Sequence, residues 1–180
     1  PLFFLLTFGI VYATNFIMAA DKMFLQVNKL LMTPSAKNKI DLDKIILGIE
    51  HSGEARAYPM QFLGYHHQVI DTIAGKPVII TYCTVCRTGR VFEPIVKGKV
   101  ESFRLVGMDH FNAMFEDQST KSWWRQVSGE AIAGPLKGQS LPEFFSRQMS
   151  LKDWLALYRN SLVMQEDTGL SETDEGMKMY

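Results

Sequence analysis

HQVIDTIAGKPVIITYC, residues 67 to 83, decides how this chain is read: two runs rich in β-branched apolar residues flank Ala74-Gly75-Lys76. Such runs around a glycine turn are the pattern of a β-hairpin. The pattern recurs on either side. KIILGIE, a turn at His51-Ser52-Gly53 and EARAYP precede it, while RVFEPIV, a turn at Lys97-Gly98-Lys99 and VESFRLVG follow it. Successive hairpins predict a mainly β domain of antiparallel strands, forming a compact barrel or sandwich. Pro94, inside the third hairpin, has no N–H for the ladder and marks an edge strand or a bulge.

The flanking sequence divides the rest. Residues 1–20, PLFFLLTFGIVYATNFIMAA, contain 15 apolar residues and no charge. A helix of that length spans about 30 Å, so the stretch reads as a single-pass transmembrane anchor with the main domain extracytoplasmic. Thr7, Gly9, Thr14 and Asn15 weaken the span, and a signal-peptide core or a buried helix are its alternatives. The start at Pro1 rather than Met reads as a fragment or processed form. Residues 21–43 read as a connecting segment with one short helix, residues 44–160 as the β domain, and residues 161–180 as an acidic, mobile tail. Beyond Gly107 the periodicity weakens into loops with one or two more strands. Ser150 and Asp153 make a capping box, so SLKDWLALY is read as a short C-terminal helix.

Composition excludes several classes. Of 180 residues 47% are hydrophobic, which supports one domain with a real core and argues against a disordered chain. Lys and Arg total 19, as do Asp and Glu, so no global field favours nucleic acid.

The two cysteines, Cys83 and Cys86, form a C-x-x-C pair at the end of the central hairpin. That spacing brings two sulfurs within reach of one ion or of each other. A turn centred on Gly75 sets His67 opposite Cys83, and a two-residue turn at Ala74-Gly75 sets His66 there. Because successive strand side chains face opposite sides, only one of these histidines can share the cysteines' face. Cys83, Cys86 and His66 supply ligand types for a transition metal ion, namely zinc, copper or iron. His67 and His110 are possible additional ligands, Met108 and Met114 are soft donors for copper, and Asp71 is a partner that would orient a liganding histidine. The pair can equally form a disulfide, inert or redox-active, with Arg87 favouring a thiolate. Trp123 and Trp124 read as core or core edge.

Four segments together resemble the DUF3179 family, a bacterial and archaeal domain whose name records an unknown function. They are GEARAYP at 53–59, His66 to Asp71 followed by Thr72, TYCTVCRTG at 81–89 and SGEAIAGPL at 128–136, and the likeness covers roughly residues 44–160. Where the family has Trp-His-Glu, this chain has Tyr65-His66-His67, which makes His66 the family histidine. Where the family has Cys-Pro-Leu-Cys-Gly-Thr, Thr84 replaces the proline and Arg87 the glycine, with Thr88 and both cysteines kept. The resemblance implies where the site lies and leaves the reaction open. Three functions stand as expectations: a membrane-anchored extracytoplasmic metal site; a thiol–disulfide site with Cys83 attacking and His66 as base; and a non-catalytic assembly module whose partners are other subunits of a membrane complex.

Overall fold

A computed structural model describes residues 2–166. Helices α1 (Leu2–Tyr12) and α2 (Ala20–Met23) precede strand β1 (Leu31–Pro34) and the hairpin of β2 (Ile45–His51) with β3 (Glu54–Pro59). Helix α3 (Met60–His66) leads to the hairpin of β4 (Gln68–Ile73) with β5 (Lys76–Cys83), and β5 turns into β6 (Thr88–Phe92). The short β7 (Ile95–Val96) and β8 (Lys99–Val100) pair with each other. A meander follows of β9 (Phe103–Asp109), β10 (Asn112–Asp117), β11 (Trp123–Arg125) and β12 (Ala131–Ala133), and the described chain closes with β13 (Arg147–Ser150), α4 (Leu151–Leu157) and β14 (Leu162–Gln165).

The fold is mainly β with a short C-terminal helix, but it is not a barrel. Its sheets run β1-β14-β3-β2-β13, β12-β11-β10-β9, β4-β5-β6 and β7-β8, and none closes on itself. The hairpin turns have a common cause. Ser52-Gly53, Ala74-Gly75 and Lys97-Gly98 each place two successive residues at positive φ, the second a glycine, which matches the twist of the paired strands. The third hairpin nevertheless stops at β7 and β8. Pro94 interrupts the chain after β6, and the outer parts of the expected strands join different sheets, β6 beside β5 and β9 beside β10.

Strand β5 accounts for the long apolar run from Pro77 to Ile80. Val78 and Ile80 enter one buried cluster with Leu47, Tyr58 and Leu63, while Ile79 and Cys83 enter another with Phe92, Phe103 and Trp124. A strand buried on both faces has no polar side to alternate with. Cys83 therefore points towards the four-stranded sheet. The third cluster packs α4 on the five-stranded sheet through Leu151, Trp154, Ile46 and Val163. Ser150 caps α4 as expected: its Oγ accepts the Asp153 N–H at 3.1 Å and donates to Asp153 Oδ2 at 2.6 Å.

The expected boundaries shift. The segment read as a connector contributes β1, and the segment read as tail contributes β14, which pairs antiparallel with β1 and parallel with β3. Residues 167–180 of that tail lie outside the described residues. The expected membrane span is not one continuous α-helix. Helix α1 has 11 residues and gives way to a π-helical stretch at Ala13–Ile17. Thr14 Oγ1 and Asn15 Nδ2 turn back to the carbonyls of Ile10 and Val11, and at Met18 the chain leaves the helix. Among the described residues no helix is long and apolar enough to cross a membrane. None of α1 is buried, and Phe3, Phe4 and Phe8 are each more than 70% exposed.

Candidate dithiol site

Cys83 ends β5 and pairs across the ladder with Thr88, which starts β6. The four residues between them reverse the chain, with Arg87 at a φ of 51°. The reversal folds Cys86 back over Cys83. Their sulfurs lie 3.2 Å apart, both cysteines are free, and Cys83 is buried whereas Cys86 is exposed. The Cys86 N–H donates to Cys83 Sγ at 3.4 Å.

A second hairpin tip completes the site. Between β9 and β10 the turn residues His110 and Phe111 have φ values of 46° and 66°. Their conformation aims the Phe111 carbonyl at the thiols: Cys86 Sγ donates to it at 2.9 Å, and Cys83 Sγ lies 3.5 Å from it, with a single hydrogen to give either to that carbonyl or to Cys86 Sγ. Asn112 Nδ2 donates to Cys86 Sγ at 3.4 Å and to Gln126 Oε1 at 3.1 Å. Gln126 in turn donates to Thr81 Oγ1 at 3.2 Å and to the Thr88 carbonyl at 2.9 Å. Asn112 and Gln126 are both buried, so this chain of amides ties the four-stranded sheet to β5 and β6, the strands on either side of the cysteine turn.

These contacts set the acidity of the exposed thiol. The Asn112 amide is the largest single influence on Cys86 and lowers its pKa, but desolvation and the neighbouring Cys83 together outweigh it, and the net shift is upward. Arg87, expected to favour a thiolate, instead lowers the pKa of Tyr82, where burial dominates and the net shift is upward.

The histidines lie elsewhere. Gln68 pairs with Thr81, so continuing the register would indeed place position 66 opposite position 83. The strand stops first, because His66 is the last residue of α3 and His67 is its left-handed cap, with a φ of 61°. His66 is buried with Nδ1 2.6 Å from the Leu25 carbonyl, and its ring meets Tyr65 edge-on. His67 Nδ1 faces the Tyr82 carbonyl at 3.0 Å, so that nitrogen carries the hydrogen, and Phe24 covers the ring edge-on at 4.3 Å. Burial lowers the pKa of His67 most, against the Tyr82 hydrogen bond, and His66 lowers it further. His110 is an exposed turn residue bonded to Asp109. Asp71 accepts from the Tyr58 hydroxyl at 2.6 Å and faces Arg56, and so anchors a buried tyrosine. Met114 is buried and Met108 exposed. Among the described residues no three His, Cys, Asp or Glu side chains gather closely enough to hold a metal ion.

Sequence reading missed Phe111, Asn112 and Gln126. The signal for the first two was present: GMD and NAM are short runs around His110-Phe111, but without a glycine the turn reads as loop. Gln126 carried no local signal, since its role depends on contacts between sheets.

The fold and the site together define a small, mainly β domain with a surface dithiol. The chain belongs to the DUF3179 family, whose model, described as a protein of unknown function, matches residues 28–175. No curated protein and no solved structure matches the chain.

Proposed function

We propose that Cys83 and Cys86 are a thiol–disulfide redox pair. The observation that supports this reading is the 3.2 Å contact between one exposed and one buried thiol. Their unequal exposure reverses the roles expected from sequence: Cys86 attacks and Cys83 resolves. The Cys86 thiol loses its proton to water, and its thiolate keeps hydrogen bonds from Asn112 and from the Cys83 S–H. It attacks one sulfur of an incoming disulfide, forming a mixed disulfide and expelling the other sulfur as a thiolate. Cys83, its proton passed to solvent, then attacks Cys86 Sγ and releases the second thiolate. The incoming disulfide gains two electrons and, from solvent, two protons, and the pair becomes a disulfide.

Equilibration in graded glutathione buffers, followed by thiol counting and mass mapping, tests this. Both thiols should disappear together into one internal disulfide, and Cys83→Ser should leave Cys86 trapped as a mixed disulfide. Thiols that oxidise independently would overturn the reading. So would near-stoichiometric zinc, copper or iron that is lost on Cys86→Ser, which would return the site to metal binding through the same sulfurs.

We also propose that α1 lies in a bilayer. A helix apolar on every side has no face suited to water, and no residue of α1 is buried. The full chain should float with lipid vesicles, and Phe4→Lys combined with Phe8→Lys should abolish flotation. Flotation unchanged by both lysines would refute the proposal.

A further inference from the structure

Phe111 occupies an unfavourable place for a phenyl side chain. Among the described residues four hairpins turn through two residues at positive φ, and three of them place glycine second: Gly53 at 86°, Gly75 at 79° and Gly98 at 76°. The fourth places Phe111 there, at 66°. A bulky side chain is strained in the left-handed region, where glycine is not. No packing compensates for the strain, since Phe111 is 77% exposed and Val85, between the two cysteines, is 58% exposed. The carbonyl of the same residue accepts from Cys86 Sγ at 2.9 Å, so the phenyl projects from the turn that caps the reactive thiol.

We infer that the substrate of the Cys83–Cys86 pair is a polypeptide disulfide, and that Phe111, with Val85, is the apolar contact that holds its chain beside Cys86. This deepens the redox reading above and rests on it. Exposed aromatic residues beside a reactive group are characteristic anchors for protein partners. The chemistry is the exchange already written, with the cysteines of the polypeptide as its oxidant: they take up two electrons and two protons as the pair closes. A strained residue that neither the turn nor the core rewards is explained once a partner chain covers it.

The test compares two disulfides against the reduced full chain: a peptide disulfide with apolar residues flanking its cysteines, and bis(2-hydroxyethyl) disulfide, which has no chain to hold. Phe111→Gly should slow the peptide reaction about tenfold more than it slows the small disulfide, the effect of losing one aromatic anchor. The same variant should raise the melting temperature, because glycine relieves the turn, and Phe111→Trp should retain the peptide rate. An unchanged peptide rate in Phe111→Gly, or equal losses on both disulfides, would overturn the assignment of Phe111. A wild-type chain inert towards both disulfides would instead overturn the redox reading beneath it, so the two failures are distinguishable.

Discussion

At the scale of single residues, the site depends on one amide. Asn112 is buried, reaches Cys86 Sγ with one hydrogen and Gln126 with another contact, and accepts the Val127 N–H through Oδ1 at 3.0 Å. Its donation is the strongest influence lowering the Cys86 pKa, so removing it leaves desolvation and Cys83 unopposed. Asn112→Ala should therefore raise the thiol pKa further above its ordinary value. Alkylation of Cys86 by iodoacetamide near neutral pH should slow several-fold, because less of the thiol is ionised. The rate is read on a Cys83→Ser background, so that only Cys86 reports, with wild-type Asn112 on that background as reference. An alkylation rate unchanged between the two would show that the amide positions the turn without acting on the sulfur. The cysteine pair itself was legible in the sequence because both ligands of the contact lie three residues apart. Asn112 was not, because its partner is 26 positions away and the turn that delivers it lacks the usual glycine.

At the scale of elements, local patterns were readable and pairings between distant segments were not. The β2–β3 and β4–β5 hairpins and the cap of α4 are each specified by residues a few positions apart. The end of α3 shows how such a reading fails. MQFLGYH carries no strong helix signal, so His66 and His67 look like the start of β4, and an extrapolated register places a histidine beside Cys83 that the helix cap withholds. The assembly of β1, β14 and β13 around the first hairpin is likewise non-local, joining Leu31 to Gln165 and Arg147 to Gly48. Gly48 also makes a testable contact. A Cβ there would sit 2.5 Å from ring carbons of Trp154, whose indole is buried and fixed by donation to Ser161 Oγ at 2.8 Å. The buried, hydrogen-bonded ring must shift to admit the methyl group, so Gly48→Ala should destabilise the fold by about 1–3 kcal/mol, the usual cost of overpacking. Urea denaturation measures this, and a midpoint equal to wild type would mean that α4 can slide on its sheet.

For the whole molecule, stability should depend on acid in two separable stages. Asp117 is buried; desolvation, the largest influence, raises its pKa, yet donation from Thr120, Trp124 and Ser122 outweighs it and holds the carboxyl below its ordinary value. A carboxylate depressed in the fold contributes stability above its unfolded pKa of about 3.9, and that contribution is lost as pH falls through the lower folded value. His67 has the same sign for a different reason. Its folded pKa is lowered chiefly by burial, so below the unfolded value of about 6.5 the unfolded chain takes up a proton that the folded chain resists. Protonation would also set a second N–H at Nε2, which is buried without a hydrogen-bond partner. The denaturation midpoint should therefore begin to fall below about pH 6.5 and fall again below about pH 4. His67→Asn keeps a residue suited to the left-handed cap and an amide able to reach the Tyr82 carbonyl, so it should flatten the upper stage and spare the lower. Asp117→Asn sets an amide donor against the donors of Thr120 and Ser122, and should cost about 2–4 kcal/mol at neutral pH while making the lower stage shallower, the rest of that stage coming from Asp109 and Glu116, which are also held below their ordinary values. Midpoints measured from pH 3 to 8 decide the matter: if His67→Asn tracks the wild-type curve through the upper stage, the buried imidazole is not what couples this fold to mild acid.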